Sequence, residues 1–259
     1  LVVSFRGAHI NYTPIVEAEY QEKYKVVFPF VVAFHGVSKA IIKKASAYGN
    51  IADRSTVIYS PIPQFFFEAY QEFKISESKK IHMVSVGRNH WKKGYQYAVD
   101  ALHALKQKGY DVHYTLIGPS APTEAFLFQI HQLQLQDSIS FKGQLHQDDL
   151  TVVLKEYDVL LLPSLGEGIA NVVLEAMSIG LPVISSDCGG MAEVVKHKET
   201  GWLIPMRSSS AIVEAVIDFD KTSSEDLKAM TKSAFELVKK EFDYDCNIEK
   251  FIRLYESVV

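Results

Sequence analysis

Cysteine is scarce in this chain. Cys188 and Cys246 are the only two in 259 residues, far apart and in no CxxC or Cys/His cluster. A disulfide framework and a zinc site are therefore unsupported, and a reducing, cytosolic setting fits best. Basic residues are not in excess: Lys and Arg number 27 against 31 Asp and Glu, a net charge of −4. That argues against non-specific nucleic-acid binding, which needs many cations on phosphates. Long apolar runs are missing as well. The longest, VVFPFVVAF from Val26 to Phe34, is too short to span a bilayer and contains Pro29. No GxGxxG follows any β-rich run, which argues against a dinucleotide oxidoreductase. No secretory-leader pattern stands at residue 1. The chain opens on Leu1, directly in an apolar run, and we expect it to be a piece of a longer protein.

What is present is ordinary for a globular protein: 47% hydrophobic and 22% charged residues. From Lys80 onward, short β-rich runs alternate with longer segments of helical period. The runs are Ile81–Gly87, Val112–Gly118, Ile139–Gly143, Val159–Pro163, Pro182–Ser186 and Trp202–Pro205. Several are apolar throughout, as parallel strands covered on both faces require. The helical segments are Tyr95–Lys108, Glu124–Leu135, Gln147–Glu156, Asn171–Ile179 and Ala211–Phe219, followed by a tail of Glu225–Lys240 and Cys246–Val258. Repeated βα units predict a doubly wound α/β domain with a parallel sheet over residues 76–259. Residues 1–75 read as part of a second Rossmann-like unit, with strands at Val2–Phe5, Val31–Phe34 and Thr56–Tyr59 and a helix at Lys39–Tyr48. Pro61 and Pro63 are expected to end regular structure there. The charged, Ser-rich Glu68–Lys80 suits a linker.

The segment PSLGEGIANVVLEA, Pro163 to Ala176, places Glu167 and Glu175 eight positions apart. On one helix they would lie roughly 80° apart in azimuth and about 12 Å apart along the axis, too far to share a small ligand. Gly166 and Gly168 instead predict a tight loop after a strand, with the helix starting near Ala170 or Asn171 and Asn171 as a cap. Glu167 then stands on the loop and Glu175 one turn into the helix. That is the C-terminal edge of a parallel sheet, where open α/β folds bind ligands, and a helix N-terminus favours phosphate. Two carboxylates beside an anion site suit a ligand with hydroxyls as well as phosphate, such as a sugar nucleotide. Spacing alone equally allows a solvated loop residue and a helix-surface residue.

A second constellation, Gly87-Arg88-Asn89-His90-Trp91-Lys92-Lys93-Gly94, also follows a strand. Arg88 can fork onto a phosphate and Lys93 adds a point charge; a solvated basic loop is the plainer reading. The third, Ser186 to Glu193 with Gly189-Gly190, allows either close approach to a ligand or a tight turn. Asp243-Tyr244-Asp245 suits a helix start better than a metal site.

These motifs together resemble the retaining glycosyltransferases of GT-B type, family 4. Pro163-Ser164-x-x-Glu167-Gly168, then Leu174-Glu175-Ala176-Met177-x-x-Gly180-x-Pro182-Val183, is similar to that family's E-x7-E segment. Gly87-Arg88…Lys93-Gly94, Phe141-x-Gly143, Gly189-Gly190-x-x-Glu193-Val194 and Gly201-Trp202-Leu203-Ile204-Pro205 follow in the family's order, and Val37-Ser38-Lys39 and Ile58-Tyr59-Ser60-Pro61 resemble the end of its N-terminal domain.

The resemblance implies two Rossmann-like domains across a cleft, the N-terminal one incomplete here because its glycine-rich opening is absent from this chain. It implies a nucleotide-diphosphate sugar as donor, a glycan or lipid-linked acceptor, hexosyl transfer in cell-surface polysaccharide biosynthesis, no cofactor and no metal. By position, Arg88 and Lys93 would hold the diphosphate, Glu175 the ribose and Glu167 the transferred sugar. Gly168, Ile169, Ala170 and Asn171 would line sugar and phosphate, and the Gly143–Leu145 loop the base. The family segment near Phe5 often reads His-Gly-x-Asp. Here it is Arg6-Gly7-Ala8-His9, so Arg6 and His9 would stand on the acceptor side. A cytoplasmic protein, peripheral to the inner membrane face when its acceptor is lipid-linked, is the expected setting. For this chain alone, donor binding with little turnover is expected. A sugar-nucleotide epimerase and a non-catalytic nucleotide-sugar-binding module are the alternatives.

Overall fold

A computed structural model describes residues 1–76, 78–118 and 121–258. Two parallel sheets organise it, one of three strands and one of six.

The smaller sheet contains β1 (Val2–Phe5), β2 (Ala33–Gly36) and β3 (Ser55–Val57) in that order. Between β1 and β2 run the short helices α1 (Ala8–Asn11) and α2 (Thr13–Val16), then α3 (Glu19–Val27). The helix α4 (Lys39–Ala45) joins β2 to β3, with the Ser38 hydroxyl accepting from the Ile41 N–H at its start. Helix α5 (Gln64–Glu68) follows Pro63.

Three sequence expectations change here. The strand expected at Val31–Phe34 begins at Ala33, in register with Val2, because Phe28-Pro29-Phe30 forms a 3-10 turn. The Val31 N–H donates back to the Phe28 carbonyl at 3.2 Å. Residues 8–27, which carried no assignment, are largely helical. The longest helix there, α3, has no buried residue, so it lacks the apolar stripe from which a helix is read. Third, Pro61 and Pro63 do not end regular structure; Pro63 directly precedes α5, as proline's fixed φ allows at a helix start.

The larger sheet contains β4 (Ile81–Val86), β5 (Val112–Ile117), β6 (Ile139–Lys142), β7 (Val159–Leu162), β8 (Val183–Ser186) and β9 (Trp202–Ile204). Its order is β6-β5-β4-β7-β8-β9, and every pairing is parallel. The chain therefore reverses direction across the sheet between β4 and β7, and the loops after these two strands flank the crevice of a doubly wound fold.

Helices α6 (Tyr95–Gln107), α7 (Glu124–Gln132) and α10 (Ser209–Lys221) cover one face through Leu102, Leu105, Ile130 and Val216. Helices α8 (Gln147–Val153) and α9 (Asn171–Ser178), with α5, cover the other through Leu150, Val173, Met177 and Phe66. Strands β7 and β8 are buried along their whole length. Each fully buried Leu or Val contributes about 1.5–3 kcal/mol of transfer free energy, and both faces collect it.

Helix α11 (Ser224–Glu241) closes this unit, and α12 (Tyr244–Glu256) crosses back to the smaller sheet. Asp243 begins α12, its carboxylate accepting from the Cys246 N–H at 2.8 Å. Leu254 packs with Ala33 and Ile58, and the Phe251 ring lies 4.6 Å from that of His35. The expected linker is docked rather than free: the Gln71 N–H donates to the Ile179 carbonyl at 3.2 Å, and Phe73 is buried in the larger unit's core. Residue 77 of that segment lies outside the described residues.

Candidate functional site

The loop after β4 runs from Gly87 through a 3-10 turn at Trp91–Lys93 into α6. The loop after β7 runs from Pro163 to Ala170 into α9. They meet directly. The Leu165 N–H donates to the Lys92 carbonyl at 2.6 Å, and Lys93 Nζ lies 2.9 Å from Glu167 Oε1. The Ser164 hydroxyl, fully buried, donates to the same oxygen at 2.9 Å. The ion-paired side chains are 15% and 12% exposed, so Glu167 is no solvated loop residue. A basic loop and an acidic loop, each following a strand at the sheet reversal, thus share one charged pair.

The acidic loop is gripped from two sides. Gly189 of the third motif has φ +59, and a Cβ there would come 1.8 Å from the Glu167 carbonyl. The Gly190 N–H donates to the Gly168 carbonyl at 2.6 Å. The Gly-Gly pair is therefore a turn whose lack of side chains lets the Glu167 loop sit against it. From the smaller sheet's side, the Asn11 amide donates to the Glu167 carbonyl at 3.0 Å. Gly168 packs on Arg6, whose carbonyl would be 2.7 Å from an added Cβ.

Glu175 is 7% exposed, which overturns the reading of it as a helix-surface residue. Its Oε1 accepts from Gln147 Nε2 at 3.1 Å. Burial pushes its carboxyl above the ordinary range, and the Gln147 bond partly offsets that. Asn171 is the first residue of α9 rather than its cap; Ala170 takes that position and no side chain caps this helix. A helix N-terminus without a side-chain cap leaves N–H groups for a ligand.

Arg88 is exposed and makes no ion pair among the described residues. With Lys92, Lys93, Gly118 and Leu145 it lines a cavity of about 310 Å³. Gly143 does not line it, lying exposed with nothing within 4 Å of a built Cβ. A second cavity, of about 320 Å³, is lined by Ser4 to Ile10, Lys92 and Gly166 to Gly168. Arg6 and His9 therefore share a cavity with Glu167. Ile169 is partly buried in the second core, beside Ala170. A larger cavity of about 700 Å³ lies at the opposite, strand-start edge, between residues 71–76 and Asp158, away from both loops.

Four further residues were missed in the sequence. Ser164 was visible only as a motif letter. Gln147 begins α8 with no pattern to mark it. The Tyr95 hydroxyl is buried beside Gly87 with no partner among the described residues. Glu193 reaches the other unit: its carboxylate accepts from the Lys39 and Ala40 N–H groups at 3.0 and 2.9 Å and from the Tyr59 hydroxyl at 3.0 Å. Burial, then this carboxylate, raises the Tyr59 hydroxyl well above the ordinary range. His35, by contrast, is structural. Ile58 O accepts from its Nε2 at 2.8 Å, which leaves Nδ1 to accept from Ser4 at 2.7 Å. Cys188 is buried, its thiol pushed up to about 11 chiefly by that burial, which suits an inert core residue.

This fold, two parallel α/β units joined through the loops at the sheet reversal, is of GT-B type. Residues 67–237, well over half of the chain, match the family described as glycosyl transferases group 1, and the chain belongs to that family. The amylovoran biosynthesis glycosyltransferase AmsK of Erwinia amylovora is 29% identical over 263 residues, covering 99% of this chain and 64% of that protein. The N-acetyl-alpha-D-glucosaminyl L-malate synthase of Bacillus anthracis is 30% identical over 189 residues, 73% of this chain and 47% of that protein. The chain thus spans about half to two-thirds of the length of these relatives. Among solved structures, Anabaena HepE in complex with UDP and glucose aligns over 99% of this chain and 71% of its own, with a TM-score of 0.83 and 20% identity. That likeness speaks for the fold. No helix among the described residues is long and apolar enough to cross a membrane.

Proposed function

We infer that the protein of which this chain is part transfers a hexose from a nucleoside-diphosphate donor to a glycan or lipid-linked acceptor, with retention at the reacting carbon, in cell-surface polysaccharide biosynthesis. The observation that carries this reading is the Lys93–Glu167 pair at 2.9 Å, which joins a phosphate-type loop to a hydroxyl-type carboxylate at the sheet reversal. AmsK, by its name, works in amylovoran biosynthesis, and HepE was solved with UDP and glucose.

In this reading Arg88 and Lys93 hold the diphosphate. Their charge stabilises the leaving group as the sugar–oxygen bond breaks, the preorganised electrostatic term that most often dominates catalysis. Glu167, held by Ser164, accepts from the hydroxyls of the transferred sugar. Glu175 accepts from the ribose, exchanging the Gln147 amide for a ligand hydroxyl. Residues 168–171 line sugar and phosphate at the start of α9, and Leu145 lies against the base. Residues 1–75 form the acceptor-side unit and 76–259 the donor-side unit, with α12 fastening the second to the first. No metal enters this scheme.

Titration of the chain with UDP, ADP and GDP tests the donor site; no binding by any of them counts against it. Incubating the full-length protein with UDP-glucose and EDTA, with and without acceptor oligosaccharide, tests the rest. Sugar transfer only with acceptor, unaffected by EDTA, is expected. Donor conversion without acceptor favours an epimerase. Binding without turnover in the full-length protein favours a non-catalytic module.

A further inference from the structure

The cavity beside Glu167 has an unbalanced charge. Its ionisable lining groups are Arg6, His9, Lys92 and Glu167. The Glu167 carboxylate is already matched by Lys93, which does not line this cavity. None of Arg6, His9 and Lys92 forms an ion pair among the described residues. Three basic residues thus line one concavity with no unpaired acid among its other lining groups. Low-dielectric walls around like charges focus a positive potential, and the ligand that offsets it is an anion.

Lys92 also lines the donor-side cavity with Arg88 and Lys93. It therefore stands on the wall shared by the two cavities. At about 320 Å³, the second one is at the small end of ligand pockets, roughly 300–1,000 Å³. It takes one sugar-sized group, not a long chain.

We propose that this cavity takes an acceptor sugar carrying an oxyanion, a phosphate or a carboxylate, bound by Arg6, His9 and Lys92 beside the position where Glu167 holds the transferred sugar. This rests on the sugar-transfer reading above and adds the charge class of the acceptor. Arg6 supplies the planar fork that matches an oxyanion, and Lys92 a point charge. His9 adds a ring N–H that can donate to the same oxyanion. Arg6 and His9 remain open to solvent, so the preference for an anion weakens as salt rises.

The test uses the full-length protein saturated with UDP, ADP or GDP, whichever binds, so that the donor site is filled. Calorimetry then compares glucose, glucose 1-phosphate and glucuronate as acceptor probes. The two anionic probes separate a phosphate-linked from an acidic-sugar acceptor. At least one should bind about tenfold more tightly than glucose at low salt, with the gap shrinking at high salt. Arg6→Gln and Lys92→Gln should each narrow the anion's advantage over glucose about two- to fivefold. Thermal unfolding checks that both variants are folded. If neither anionic probe binds more tightly than glucose, or if the folded double variant keeps the preference, the proposal is overturned while the donor reading stands. If no nucleoside diphosphate binds, the donor reading fails and the proposal falls with it.

Discussion

The two sheets of this molecule are stabilised in different ways. The six-stranded sheet carries its own core on both faces, and its central strands β7 and β8 are buried end to end. The three-stranded sheet has a smaller core of its own around Phe5, Phe28 and Phe34. Its remaining support comes from elsewhere: α12 reaches it from the far end of the chain, and Glu193 caps α4 from across the cleft. The loops after β4 and β7 therefore stand on a self-sufficient scaffold, while the wall formed by residues 4–10 depends on contacts made by the other unit. A molecule built this way can keep the Lys93–Glu167 loops in place while the smaller unit loosens.

The largest expected effect is on the self-sufficient side. Lys93→Ala removes the cation proposed to hold the diphosphate and leaves the nearly buried Glu167 without its ion-pair partner. Breaking such a pair costs about 3 kcal/mol, readable by urea unfolding, and the affinity for the bound nucleoside diphosphate should fall by about 1–3 kcal/mol. Unchanged affinity in the folded variant would remove Lys93 from the site. Leu254→Ala addresses the dependent side. It should cost about 2–3 kcal/mol, and hydrogen exchange should rise in β1, β2 and β3 before β4 and β7. Equal loosening of both sheets would show that the two units open together.

Glu193→Ala should cost about 1 kcal/mol, the usual worth of a helix cap, with faster exchange confined to the Lys39 and Ala40 amides. Protection unchanged at those amides would mean that the cap is not formed in solution. Tyr95→Phe comes last. Its hydroxyl has no partner among the described residues, so unfolding free energy should move by less than about 0.5 kcal/mol. A larger loss would reveal a partner, and a loss of donor affinity alone would place the hydroxyl on the ligand.

The same contrast governed what could be read in advance. Strands β4 to β9 were each located to within a residue or so; β7 and β8 were the most legible because burial on both faces leaves continuous apolar runs, whereas the edge strand β6 is buried only at Ile139. The segment from Ala8 to Val27 was not. Helix α3 has no buried residue, so nothing in its pattern distinguishes it from a charged loop. Asn171 was expected as a cap on propensity, yet Ala170 takes the cap position, its N–H donating to Met191 Sδ at 3.4 Å. Glu175 offers the plainest case. Spacing could not separate a surface carboxylate from a buried one, because its hydrogen-bond partner Gln147 comes from another helix, α8.

Local pattern by itself determined the alternation of strand and helix, the loops carrying Arg88, Lys93 and Glu167, and the family. These follow from residue periodicity, glycine placement and short-range motif order, all of which lie within a few residues of chain. Tertiary structure decided which loops meet. Lys93 and Glu167 pair because β4 and β7 are neighbours in the sheet, Glu193 caps α4 across the cleft, and α12 returns to cover the smaller sheet. These contacts join residues tens to more than two hundred positions apart. They arise from strand order and from burying apolar faces, which no local window of sequence contains.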